Sequence, residues 1–220
     1  SNSSVKFDFM DGHYNVNNTD SGEYSWMFKR AKGFMTISAH TDLTASDVIK
    51  HDLGVVPELI WEKCRSVVED WYIYHKDLTS GSTLKFTSAA EAVDSSRFTA
   101  ISDTQFTYGG GTAGRTRIFY MFATLAGISK VFTLTANGTQ TINCGFTTGA
   151  KMVMLKKKNG VGSHYLWDSL RGIVAGNDPF LYLDTTAAED ATTDLIDPES
   201  TGFICNINDG SEYVGYAISV

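Results

Sequence analysis

Five histidines, His13, His40, His51, His75 and His164, are the side chains of this sequence best suited to proton transfer or metal ligation. Either chemistry needs a histidine convergent with carboxylates or with further ligands. His51-Asp52 and a distant serine make a triad in composition only, because the chain has no GxSxG elbow and no strand-to-helix element to mount a nucleophile. The carboxylates of Glu189-Asp190, Asp194, Asp197 and Glu199 follow one another along a single stretch. A glycosidase instead sets two carboxylates across a cleft, one of them with a raised pKa, so a solvated loop is the better reading. The DxDxDG spacing of an EF-hand is missing, and Asp8-Phe9-Met10-Asp11-Gly12 is the one segment that could contribute to a weak calcium site. Cys64, Cys144 and Cys205 are odd in number and widely spaced, with no CxxC pair, which reads as free thiols and not as structural zinc. The expectation is a protein with no catalytic residue, no cofactor and no metal site.

Aromatic residues make up 12% of the chain and offer a different chemistry, stacking against apolar faces of a ligand. In Trp71-Tyr72-Ile73-Tyr74-His75, strand alternation puts Tyr72 and Tyr74 on one face, which reads as core, and Trp71 on the other. Trp71 is therefore the candidate for a glycan or receptor contact. The net charge of −7 supplies no global positive field, and Lys156-Lys157-Lys158 beside Asn159-Gly160 reads as a solvated strand end, so no nucleic-acid partner is expected. No apolar run approaches the ~20 residues of a membrane span. The start, Ser1-Asn2-Ser3-Ser4, lacks a charged-then-apolar signal pattern and reads as a cut edge.

The elements that must position these residues repeat with a period of roughly 90 residues. Residues 48–63, VIKHDLGVVPELIWEK, align with residues 141–156, TINCGFTTGAKMVMLK. The alignment continues through Trp71–Lys76 against His164–Ser169, then Leu84–Glu91 against Leu181–Glu189 with a one-residue slip. Each copy closes on a strongly apolar strand, Arg117–Ala123 and Tyr213–Ser219, and the segment Glu23–Gly33 resembles that closing element a third time. The expected organisation is thus residues 1–32 as the closing hairpin of a preceding unit, 33–127 as the first module and 128–220 as the second. Comparing the copies also tests the histidines: His51 falls opposite Cys144, His75 opposite Asp168 and His164 opposite Trp71, so no chemistry shared by the modules uses one.

Short runs of Val, Ile, Thr, Tyr and Phe alternating with period two, and broken by Gly, Asn, Asp and Ser, read as strands nearly throughout. Asp11-Gly12, Asn137-Gly138, Asn159-Gly160 and Asp209-Gly210 are expected as tight hairpin turns. Helical turns are expected only at Ser88–Val93 and Thr186–Ala191, each behind a hydroxyl cap. The fold class is all-β: tandem antiparallel β-sandwich modules.

This order of motifs resembles a repeat found in tail fibre and other tail-associated proteins of tailed bacteriophages, cyanophages and marine phages included. Its copies run through "HGLGVAPELIIVK", "WYVYH", "LFLNTTAA" and "TYIAYLFA". Here Gly33-Phe34, His51–Ile60, Trp71–His75, Leu84–Ala90 and Ile118–Ala123 match the first copy. Gly145-Phe146, Val153–Lys157 and Trp167–Gly172 match a second variant. The departures are Trp61 in the first strand and Gly149-Ala150 in place of Val56-Pro57. The resemblance implies a virion structural role in the phage tail after assembly in the host cytoplasm. It also implies a homo-oligomer, with a trimer expected, contacts with other tail proteins, and contact with the host surface, where a glycan is the partner that Trp71 would suit.

Overall fold

The computed structural model of the chain describes residues 5–9, 12–15 and 27–219, the first two stretches by their backbone. It is all-β, with no helix among the described residues. Strands β1 (Val5–Phe9) and β2 (Gly12–Asn15) form an antiparallel hairpin. Nine strands follow: β3 (Met35–Thr41), β4 (Asp47–Lys50), β5 (Leu59–Cys64), β6 (Tyr72–His75), β7 (Ser82–Lys85), β8 (Ala92–Val93), β9 (Phe98–Thr99), β10 (Gln105–Tyr108) and β11 (Thr116–Phe122). They make a large sheet, β3-β11-β5-β6-β7-β8, and a small one, β4-β10-β9. The remaining strands are β12 (Ser129–Asn137), β13 (Gln140–Asn143), β14 (Met152–Lys157), β15 (His164–Asp168), β16 (Leu181–Tyr182), β17 (Ile196–Glu199), β18 (Gly202–Cys205) and β19 (Asn208–Ile218). They repeat the pattern as β12-β19-β14-β15-β16 over β13-β18-β17. All the pairings are antiparallel, and no sheet joins the two halves. Register agrees with the sequence alignment: Ile73 pairs Leu84 as Leu166 pairs Leu181.

The closing strands are apolar without a break because both their faces are covered. In β11, Phe119 and Met121 enter a core shared with Ile49, Leu53 and Phe106, while Phe122 points the other way. In β19, Tyr213 and Ala217 enter the second sandwich's core with Phe132, Trp167 and Phe203. Val214, Tyr216 and Ile218 point outward and meet Phe34, Leu59, Ile73, Leu84 and Phe122 of the first large sheet. The two large sheets thus pack on each other, small-large-large-small, and the third apolar cluster is the seam between them. On the opposite side of β19 Gly215 makes room inside the second sandwich's own core: a Cβ there would lie 2.5 Å from the Phe132 ring.

Local expectations fared unevenly. The helical turns at Ser88–Val93 and Thr186–Ala191 do not form. Thr87 Oγ1 accepts the Ala89 N–H and Thr185 Oγ1 the Ala187 N–H, local side-chain bonds that compete with a helical ladder. Ala92-Val93 instead extends the sheet as β8 against Ser82-Thr83. Asn137-Gly138 is a corner and not a hairpin, passing the chain from the large to the small sheet with Gly138 at φ +89°. Asp209-Gly210 is a bulge within β19, where pairing to β12 shifts register. Asn159-Gly160 does lie in a hairpin loop, between β14 and β15. Asp11 lies outside the described residues, as do residues 23–26 of the third closing element; residues 27–30 carry no strand.

Candidate functional site

The seam between the large sheets is closed along most of its length and opens at one end into a cleft of about 940 Å³. Trp61 of β5, Trp71 just before β6 and Phe86 just after β7 form one wall. Met152 and Met154 of β14 with Leu166 of β15 form the other. Phe28 and the segment Leu183-Asp184-Thr185-Thr186 complete it. Cross-strand register explains the wall. Trp61 pairs with Ile73 on β6, and the β6–β7 pairing that follows sets Phe86 beside it.

The aromatic side chains hold one another in place. Trp71 stacks on Tyr120 with centroids 6.2 Å apart and meets Phe86 edge-on at 5.7 Å. Trp61 lies 5.5 Å from Phe86 and 4.8 Å from Phe122. Lys63 Nζ sits 5.8 Å from the Trp71 ring. Trp71 is half-buried, as a contact residue needs to be: supported on one side, open on the other. Trp61 is also half-buried rather than enclosed, although its partner in the repeat is a methionine. Tyr74 packs beside Phe98 against the first core, and Tyr72 lies under the Arg97 guanidinium at 3.5 Å, both on the face opposite the cleft. On the rim, Asp184 Oδ1 accepts the His164 N–H at 3.0 Å, which fixes that carboxylate. One rigid aromatic wall facing a methionine-rich one, with the Asp184 carboxylate oriented on the rim, fits a ligand that has an apolar face and a hydroxyl-bearing edge, such as a sugar ring.

The histidines whose side chains are described are distributed and occupied. His75 Nε2 donates to Gly215 O at 3.2 Å while Nδ1 accepts the Asp77 N–H, and burial lowers its pKa to about 4. His164 Nε2 donates to Lys85 O at 2.8 Å, and burial likewise lowers it to about 4. Both span the seam as neutral rings. His51 Nε2 bonds Ser102 O and its Nδ1 accepts the Leu53 N–H, while Asp52 accepts the Thr36 hydroxyl, so both ring nitrogens are engaged by backbone groups and neither meets a serine hydroxyl. The side chain of His13 and the segment Asp8–Gly12 lie outside the described side chains. The three cysteines are free and buried, and burial pushes the Cys144 thiol up to about 12.

Two sets of ligand-type side chains converge among the described residues: His40, Asp42 and Asp47, and Asp178, Asp194 and Asp197. The first is balanced from within the protein. Arg117 Nε lies 2.7 Å from Asp42 Oδ2, and its Nη1 lies 2.7 Å from Glu62 Oε1 and 2.9 Å from Glu69 Oε2. Burial works against ionising Asp47, but hydrogen bonds from His40, the Leu43 N–H and Thr44 outweigh it and hold the carboxyl well below the usual range. The second set takes Asp194 and Asp197 out of what the sequence presents as a solvated run and adds Asp178. The sequence sign of Asp178 is slight: a turn, Gly176-Asn177-Asp178-Pro179, leading into Phe180, which is buried.

No curated protein and no solved structure matches the chain. A family profile described as a domain of unknown function, DUF7483, matches residues 1–216.

Proposed function

We propose, for a chain that belongs to the DUF7483 domain family, a non-catalytic structural role in a phage tail fibre, with the cleft at Trp71 as a contact for host-surface glycan. The resemblance of the repeat to tail-fibre modules motivates the virion setting, and with it a homo-oligomer, expected as a trimer, bound to other tail proteins. The observation that carries the binding role is the preformed aromatic cleft at the end of the seam. Two sandwiches packed sheet on sheet also make a stiff block, suited to bearing load while its loops vary.

The binding role is tested on an array of bacterial surface glycans with the wild type and Trp71→Ala. Affinity is expected to fall about tenfold or more on truncation of a central aromatic anchor. A thermal melt of the variant separates this from loss of fold, since Trp71 also supports Tyr120 and Phe86. Binding indifferent to Trp71, or none at all, would remove the glycan reading. The virion setting is tested apart from it: sedimentation should give a homo-oligomer, and mass spectrometry should find the chain in purified virions.

A further inference from the structure

Asp178 lies in the loop between β15 and β16, Asp194 just ahead of β17, and Asp197 within β17. One carboxylate oxygen from each lies within 4.8 Å of one from each of the others. Asp178 is fully buried; its Oδ1 accepts the Val174 N–H at 2.7 Å, the Ile196 N–H also acts on the carboxylate, and its Oδ2 is sealed from solvent with no hydrogen bond of normal geometry. An orphaned buried carboxylate oxygen loses its hydration with no return, and such groups are otherwise paired or bound to a metal.

The surroundings sharpen the anomaly. Asn206 Nδ2 donates to Asp194 Oδ1 at 2.9 Å and to Asp197 Oδ2 at 2.8 Å, and the Gly176 N–H donates to Asp197 Oδ1 at 3.0 Å. These bonds orient the acids but bring no positive charge. The groups acting most strongly on Asp178 are its own burial, two backbone N–H donors and the like charges of Asp197 and Asp194, and together they raise its pKa to about 6. Asp42 also has a buried oxygen without a partner, and the contrast lies in the charge: there Arg117 supplies the cation from within the chain.

We propose that Asp178, Asp194 and Asp197 form a divalent-cation site that takes calcium. All the donors are oxygens, with no histidine or cysteine in the set, which selects a hard cation over zinc or copper. Calcium binds oxygens at about 2.4 Å, so two of its ligands can stand at most about 4.8 Å apart. The site has one buried carboxylate, one exposed at Asp194 and one half-buried at Asp197, which leaves an open side for water ligands. Binding would tie the loop ahead of β16 to β17 and, through Asn206, to the segment after β18.

The test uses the whole chain, stripped with EDTA and titrated with calcium chloride by calorimetry and by thermal melting. One equivalent is expected to bind, and 10 mM calcium to raise the melting temperature by about 5 °C or more. Asp178→Asn and Asp194→Asn should each abolish the shift, while Asp103→Asn, an exposed acid in the other sandwich, should keep it. Asp194 is exposed, so its variant folds even if the buried one does not. No calcium shift in the wild type overturns the proposal. A shift that survives Asp194→Asn also overturns it, because calcium would then act elsewhere.

Discussion

Within β11 the alternation that buries Phe119 and Met121 carries Arg117 into the same side of the strand, where it is 1% exposed. Its guanidinium spends its donors on Asp42, Glu62, Glu69 and the Gly110 carbonyl. Asp42 and Glu62 are buried as deeply as the arginine, and among the described residues it is Arg117 that forms the ion pair with each. Removing one member of such a network strands the others, a loss of about 3–5 kcal/mol. Arg117→Met is expected to lower the unfolding free energy by that amount in urea melts at pH 7. Adding Asp42→Asn and Glu62→Gln to it should restore a large part. Nothing local announces Arg117 as buried: it opens a run of apolar residues, and its partners lie far away in sequence. Trp71 was legible for the opposite reason, because two-residue alternation alone separates it from the Tyr72–Tyr74 face.

At the scale of elements, the seam is held by polar rungs as well as by apolar contact. His75 reaches Gly215 O, His164 reaches Lys85 O, and Lys156 Nζ reaches Ser88 O at 3.3 Å. Asp77, Lys76 and Glu58 surround His75, and Lys156 and Asp184 act on His164, but burial dominates both and keeps the rings neutral. A histidine with a depressed folded pKa holds its full contribution above its unfolded value of about 6.5 and loses it as pH falls toward about 4. At about 1.4 kcal/mol per pH unit for each ring, the pair withdraws up to about 7 kcal/mol across that window. Asp178, raised to about 6, works against this, since its proton is held more tightly in the folded chain. The urea midpoint is therefore expected to fall between pH 7 and pH 4.5, and His164→Gln, which keeps a donor but cannot titrate, should remove most of that fall, because the remaining ring and Asp178 then act in opposite senses with similar weight. That the two copies are built of matching strands was readable from their alignment; the order of those strands in the sheets was not. The seam was not, because a histidine at a strand end looks the same in sequence whether it meets water or another sheet.

For the molecule as a whole, the decisive feature is that each large sheet has two apolar faces and only one of them belongs to its own sandwich. Phe34, Leu59, Ile73, Leu84 and Phe122 would face water if the first sandwich stood alone, and Val214, Tyr216 and Ile218 if the second did. The repeat foretells two similar modules but not their packing, since end-to-end and face-to-face arrangements share the same local pattern. Only the unbroken apolar character of Ile118–Ala123 and Val214–Ile218 hints that neither face is wet. The link between the halves is short, with β11 ending at Phe122 and β12 starting at Ser129. Backbone bonds also cross the seam, from the Glu91 N–H to Lys158 O and the Gly162 N–H to Ser88 O. Neither half can melt without exposing the other's inner face. The whole chain is therefore expected to unfold in one calorimetric transition whose van't Hoff and calorimetric enthalpies agree. A fragment covering residues 27–127 should self-associate in sedimentation, because it carries an uncovered apolar sheet face. Two resolved transitions with a soluble, monomeric fragment would mean that the seam is a contact between independent domains and not a shared core.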